Sequence, residues 1–183
     1  MKNFLAILLL TMIVNCKAQS PVYTLGESPV NLPMNSYIKD TNNVLNKFVG
    51  TWIYNQNGKI FTININKQEM IDFTEYYKDM LFGNFKYQVN NLIIVDTFGK
   101  TGFKSGITGA TLWEGNPNKV SLFFSDPERP KMSCKAVLTY FNVNGVEKLH
   151  WDLKLTGYVS SRNPNMNQAT DFRVPTNVEL IKQ

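Results

Sequence analysis

Apolar and polar residues alternate along most of the chain between Phe48 and Ile181, in short runs separated by Gly, Asn and Pro. A period of two is the signature of a strand with one buried face. Two of these runs define their own partners. Phe48–Tyr54 and Lys59–Ile65 flank Asn57-Gly58, the dipeptide that suits a two-residue type I′ turn. If those two residues form the turn, Tyr54 faces Phe61, Trp52 faces Ile63 and Gly50 faces Ile65, so one face is aromatic and apolar. Thr51 with Asn64 and Ile53 with Thr62 make the other, mixed face, and a slip of one residue destroys the match. The same construction across Asn144-Gly145 pairs Tyr140 with Leu149, Leu138 with Trp151, Ala136 with Leu153 and Cys134 with Leu155. Its opposite face holds Thr139 with His150, Val137 with Asp152 and Lys135 with Lys154, the last eased by the nearby Asp152.

Further strands are predicted at Met70–Thr74, Leu81–Val89, Leu92–Thr97, Thr108–Trp113 and Val120–Ser125, with turn-rich separators. A last strand runs from about Val174 to Ile181, and Pro175 confines it to an edge or a late start. Regular short strands without a long helical period indicate an all-β antiparallel meander, either a closed barrel or a sandwich. Thr41 is a candidate N-cap for a short helical turn over Asn42–Lys47, just before the first strand. Residues 19–41, with Pro21, Pro29 and Pro33, read as an extended tether or strap. Residues 157–172 form the longest irregular stretch and could lie across one end of a barrel, as a lid or otherwise. The chain divides into a leader (1–18), the strap (19–41) and one β domain (42–183).

The leader changes where the protein is expected to work. Lys2 precedes an uncharged run, Phe4–Val14, followed by Cys16, Lys17 and Ala18. That run is too short to span a bilayer and has the layout of a secretory signal peptide. Cleavage after Ala18 would release a soluble secreted or periplasmic protein. Alternatively, Ile13-Val14-Asn15-Cys16 resembles a bacterial lipobox, and acylated Cys16 would anchor the chain to the cell envelope without a spanning helix.

Asn46-Lys47-Phe48-Val49-Gly50-Thr51-Trp52 resembles the opening of a lipocalin or another calycin, a helical turn followed by Gly-x-Trp on the first strand. The resemblance implies a lipocalin-like barrel in which Gly50 lets another segment approach and Trp52 plugs one end. It also implies a late Arg packed on that Trp, with Arg162 and Arg173 both candidates. The leader's Asn-Cys-Lys-Ala-Gln, the segment Tyr37–Trp52 and the end Val178–Lys182 are similar to a family of uncharacterised exported proteins of Bacteroidota. That likeness implies a barrel and no established activity.

Composition then limits the chemistry. The 183 residues carry a formal charge of +5, or +3 once Lys2 and Lys17 leave with the leader. Lys78, Lys86, Lys100 and Lys104 among Tyr77, Phe85, Tyr87 and Phe103 are the best candidates for a nucleic-acid surface. Their alternation is that of a solvated strand face, so no nucleic acid is expected as a partner. Without Cys16, Cys134 is alone and no intrachain disulfide can form. One His and one Cys fall short of a zinc ligand set, so no metal and no cofactor are expected. His150 beside Asp152 lacks a nucleophile elbow, and Glu69, Asp72, Glu75 and Asp79 read as surface charge rather than a carboxylate pair. The chain is therefore not expected to be an enzyme. Trp52, Tyr54, Phe61, Trp113, Tyr140 and Trp151 are predicted to face the barrel interior, as core or as the wall of a site for a small apolar ligand. The alternative is an envelope or surface protein with a solid barrel, working through protein contacts.

Overall fold

A computed structural model describes residues 20–159 and 169–183, and the fold is all-β. Among the described residues eleven strands form one sheet. The strap contributes β1 (Val22–Thr24) and β2 (Ser36–Lys39), and a 3-10 turn follows at Val44–Phe48. The next four strands are β3 (Gly50–Gln56), β4 (Lys59–Asp72), β5 (Tyr76–Val89) and β6 (Leu92–Asp96). The remainder are β7 (Ile107–Trp113), β8 (Asn116–Phe124), β9 (Met132–Val143), β10 (Val146–Tyr158) and β11 (Asn177–Lys182). β5 pairs with β7 and β11 with β3, which closes an antiparallel barrel through β3, β4, β5, β7, β8, β9, β10 and β11. Closure removes the unpaired edges that an open sheet would leave on these strands.

Both Asn-Gly hairpins have the predicted register, pair for pair. Asn57, Gly58, Asn144 and Gly145 all have positive φ, between 52° and 84°, as a type I′ turn requires. Asp152 meets Lys154 at 2.8 Å and so relieves the Lys135–Lys154 juxtaposition.

Two expectations need correction, and two open alternatives are decided. Met70–Thr74 is not a separate strand: β4 continues to Asp72 through a bulge between Gln68 and Ile71. Of the tether and the strap it is the strap that forms, because β1 pairs with β2 and β2 with β5, both in parallel. The helical turn is capped by Asp40 instead of Thr41, its carboxylate accepting the amides of Val44 (2.8 Å) and Leu45 (3.0 Å). Pro175 gives a late start and not an edge, since β11 lies between β10 and β3. Residues 160–168, with Arg162, and the leader with Cys16 lie outside the described residues.

β6 and β7 are two halves of one barrel strand. Both run antiparallel to β5, at Lys86–Val89 and Leu81–Gly83 respectively, and residues 97–106 leave the sheet between them. This excursion is tied to β5. Thr97 is fully buried and its hydroxyl accepts the Phe85 amide at 2.8 Å. Asn84 Nδ2 donates to the carbonyls of Thr97 (2.6 Å) and Lys100 (3.0 Å). Phe103 covers Phe82, with ring centroids 5.4 Å apart. Gly106 is required where the chain re-enters: its φ is 102°, and a Cβ there would lie 2.6 Å from Phe85 Cε1.

At one end the Val44–Phe48 turn spans the barrel, touching β4, β8 and β9, with Leu45 and Phe48 fully buried. The Trp52 indole N–H donates to the Phe48 carbonyl at 2.9 Å. Among the described residues no late Arg covers Trp52. The Lys182 ammonium lies 5.3 Å from its ring, and a Cβ on Gly50 would stand 3.1 Å from Lys182 Cε. Arg173 lies elsewhere, pairing with Asp126.

Candidate functional site

The six predicted interior aromatics separate into three groups. Trp52, Phe61 and Trp151 are fully buried inside the barrel. Their rings contact other side chains: Phe61 meets Trp151 at 5.3 Å and Tyr87 at 6.2 Å, while Phe124 meets Trp151 at 5.8 Å and Phe85 at 4.8 Å. Ile63, Ile65, Leu81, Leu122, Leu138, Leu149 and Leu180 are buried with them. These interior rings fill the space between facing strands, and edge-to-face pairs of this kind stabilise beyond simple burial.

Tyr54 and Tyr140 sit at the two ends. Tyr54, Lys59, Tyr87 and the segment Phe172–Val178 border a hollow of about 320 Å³ at one mouth. Tyr140 lies at the other mouth, edge-on to Trp52 at 6.5 Å. Its hydroxyl donates to Glu147 at 2.9 Å, and Glu147 pairs with Lys182 at 2.9 Å. The Lys182 ammonium, then the Tyr140 hydroxyl, hold the Glu147 carboxyl below its ordinary pKa.

Trp113 corrects the prediction outright: it lies outside the barrel and is 43% exposed. Register shifts in β7, between Thr108 and Thr111 and again at Leu112/Trp113, reverse the alternation. Leu112 therefore stands opposite the buried Val120, and Trp113 shares the outer face with Lys119 and Ser121. The indole N–H donates to Ser121 Oγ at 2.9 Å, and the Lys119 ammonium lies 3.7 Å from the ring centroid. The indole is thus held in one orientation while much of it stays open to solvent.

Trp113 lines a groove of about 580 Å³ between the strap turn, Leu25–Glu27, and the β7–β8 hairpin, Leu112–Pro117. The buried Leu25 and half-buried Leu112 supply apolar surface. Gly26, with φ 93°, makes the strap turn beside Leu112. Glu27, Glu114 and Asn116 supply polar groups. Among the described residues neither carboxylate is hydrogen-bonded or ion-paired. Asn116 Oδ1 accepts the Asn118 amide at 3.0 Å, which leaves its Nδ2 as a donor.

The other chemistry-bearing residues are dispersed. Cys134 is buried on the interior face, and burial pushes its thiol pKa up, the opposite of a reactive cysteine. His150 is half-buried on the outer side, 3.4 Å from the Asn177 side chain, and its neighbour Asp152 is engaged by Lys154. Lys86 pairs with Asp96 at 3.7 Å while Phe85 and Tyr87 point inward, so alternation separates that cation from its neighbouring rings; Lys100, Phe103 and Lys104 lie off the strands, in the 97–106 excursion, and Phe103 is exposed. Among the described residues no three His, Cys, Asp or Glu side chains are grouped to hold a metal.

Asp79 is not surface charge. It is fully buried, accepting the Tyr37 hydroxyl (2.5 Å) and the amides of Asp40 (2.9 Å) and Met70 (3.1 Å). It ties the strap and the β4 bulge, where Met70 has φ 53°, to the barrel. At the opposite end Arg173 makes a two-pronged bond to the buried Asp126, and Nη1 reaches the Ile94 carbonyl (3.1 Å) and Glu128 (2.7 Å). Arg129 holds Asp171 in the same way, at 3.1 and 2.8 Å. The acids and bases of Asp126-Pro-Glu-Arg129 are thus structural clamps, with partners more than forty residues away.

Fold and geometry define a closed eight-stranded antiparallel barrel with a filled core and a groove outside it. The chain belongs to a family of unknown function (DUF6705), whose model matches residues 1–183. No curated protein and no solved structure matches it.

Proposed function

We propose that the protein is an exported, non-enzymatic recognition module that binds its partner on the outer surface of a solid barrel, with the Trp113 groove as the contact. The mutual contacts of Phe61, Phe85, Phe124 and Trp151 carry this reading: the rings that would line an internal site are occupied by one another. Export rests on the leader, with Lys2 before the apolar Phe4–Val14. Processing at Ala18 gives a free protein and acylation of Cys16 an anchored one. A fixed, exposed aromatic beside unpaired polar groups is the composition of a recognition surface.

A second reading, a small apolar ligand, is favoured by one observation, the hollow of about 320 Å³ beside Tyr54 and Tyr87. Two measurements separate the readings. Native mass spectrometry of protein purified from its own host is expected to give the bare chain mass, apart from any acyl group. Sedimentation with envelope fragments of that host, done with Cys16→Ser protein so that no acyl chain can insert, is expected to retain the chain with Trp113 and to lose Trp113→Ala. A stoichiometric apolar adduct, or retention of Trp113→Ala at the level of the chain with Trp113, overturns the proposal.

A further inference from the structure

The chemistry of the groove narrows the class of partner, on the reading that this groove is the binding surface. We infer that it takes a neutral polyhydroxylated ligand, a glycan of the cell envelope. A sugar ring presents one C–H face and an edge of hydroxyl donors. The groove offers the complements of both: one face of the Trp113 indole, the other being taken by Lys119, and the acceptor carboxylates of Glu27 and Glu114. A carboxylate can accept two hydroxyls at once, and the free Nδ2 of Asn116 can donate to a hydroxyl or ring oxygen. The two unpaired carboxylates repel phosphate- or sulfate-bearing ligands. A cationic group would share the indole with the ammonium already on it.

The orientation of the indole is set before any ligand arrives. The indole is fixed by Ser121 on the neighbouring strand and by Lys119, so docking does not have to freeze it. The Lys119–Trp113–Ser121 triplet is on the outer face of a hairpin, away from the interior rings that hold the barrel together. Its loss is therefore felt in binding more than in folding.

The test uses protein purified from its host and envelope fragments left intact, oxidised with periodate to cleave vicinal diols, or digested with protease. Each is sedimented with Cys16→Ser protein, which carries no acyl chain, with Trp113 and Glu114 intact or bearing Trp113→Ala or Glu114→Gln. The expected result is binding that periodate abolishes, that protease leaves, and that persists at about 0.5 M salt, where exposed charge attraction is screened. Trp113→Ala should weaken it at least ten-fold and Glu114→Gln several-fold, with unchanged far-ultraviolet circular dichroism. Glu114→Gln keeps the test decisive if Trp113→Ala misfolds, because Glu114 is exposed and unpartnered among the described residues. Binding that depends on Trp113 but survives periodate and is lost on proteolysis identifies a protein partner. Binding lost in salt identifies a cationic one. Either result overturns the glycan assignment and leaves the groove as the contact. Binding indifferent to both substitutions, or absent with both residues intact, removes the groove itself.

Discussion

Replacing Asp79 tests whether a buried carboxylate holds the strap to the barrel. In Asp79→Ala three donors lose their acceptor: the Tyr37 hydroxyl and the amides of Asp40 and Met70. Met70 is 55% exposed and Tyr37 half-buried, so water can replace the carboxylate at both. Asp40 is 3% exposed, and its amide is left unsatisfied at about 1–3 kcal/mol. Losing the charge-assisted bond from Tyr37 adds about 1–2 kcal/mol, and release of the buried charge offsets part of the total. The expected net loss is about 3 kcal/mol, a large share of a stability of about 5–15 kcal/mol. Asp79→Asn should cost about half as much, because one oxygen is kept while the amide nitrogen confronts at least one N–H donor. Urea denaturation gives the total. Hydrogen exchange at Ser36–Lys39 reports whether the strap opens before the barrel does. A loss below about 1 kcal/mol in Asp79→Ala, with strap protection unchanged, would refute the reasoning.

Tyr37 makes the same contact sensitive to alkali. Burial, then the hydrogen bond to Asp79, raises its hydroxyl pKa above the ordinary value of 10.0. Its contribution is therefore fully present below about pH 10 and is lost as the pH rises further. Wild type should lose stability above that pH more steeply than Tyr37→Phe in denaturant titrations. Arg173→Ala strands the buried Asp126 carboxylate and should cost about 3–5 kcal/mol by the same assay. Arg173→Lys should recover less than half, since an ammonium cannot match the two-pronged bond to Asp126 and the reach to the Ile94 carbonyl together. Phe61→Ala should cost about 3–5 kcal/mol and leave a dry apolar cavity beside Trp151 and Tyr87. Benzene should raise the calorimetric melting temperature of that variant and not of the wild type. Equal shifts in both would mean that the native interior already admits a ligand.

The two Asn-Gly hairpins were legible residue by residue, because turn type sets the register locally and a slip exposes every apolar side chain. Trp52, Phe61 and Trp151 follow from those registers as interior residues. Trp113 does not, since a bulge at Gly109, whose φ is 142°, adds a residue and reverses the face from that point on; the isolated glycine inside the strand is the one local signal of it. Arg173 with Asp126 and Tyr37 with Asp79 were illegible for a different reason. Their partners lie 47 and 42 residues apart, and charge patterning along the chain reads only near neighbours. The groove combines both difficulties, a bulge-displaced indole facing a strap whose seat depends on Asp79.

The residues alone specify the strand periodicity and the two hairpins with their registers. Alternation and turn chemistry act over a few residues, and they are written where they act. Closure of the meander, parallel entry of the strap into the sheet and filling of the interior by its own rings emerge with tertiary packing. It also decided which side of the sheet carries Trp113. These outcomes depend on which side chains meet across the barrel and on a single residue of phase in β7, quantities that exist only once distant strands are paired.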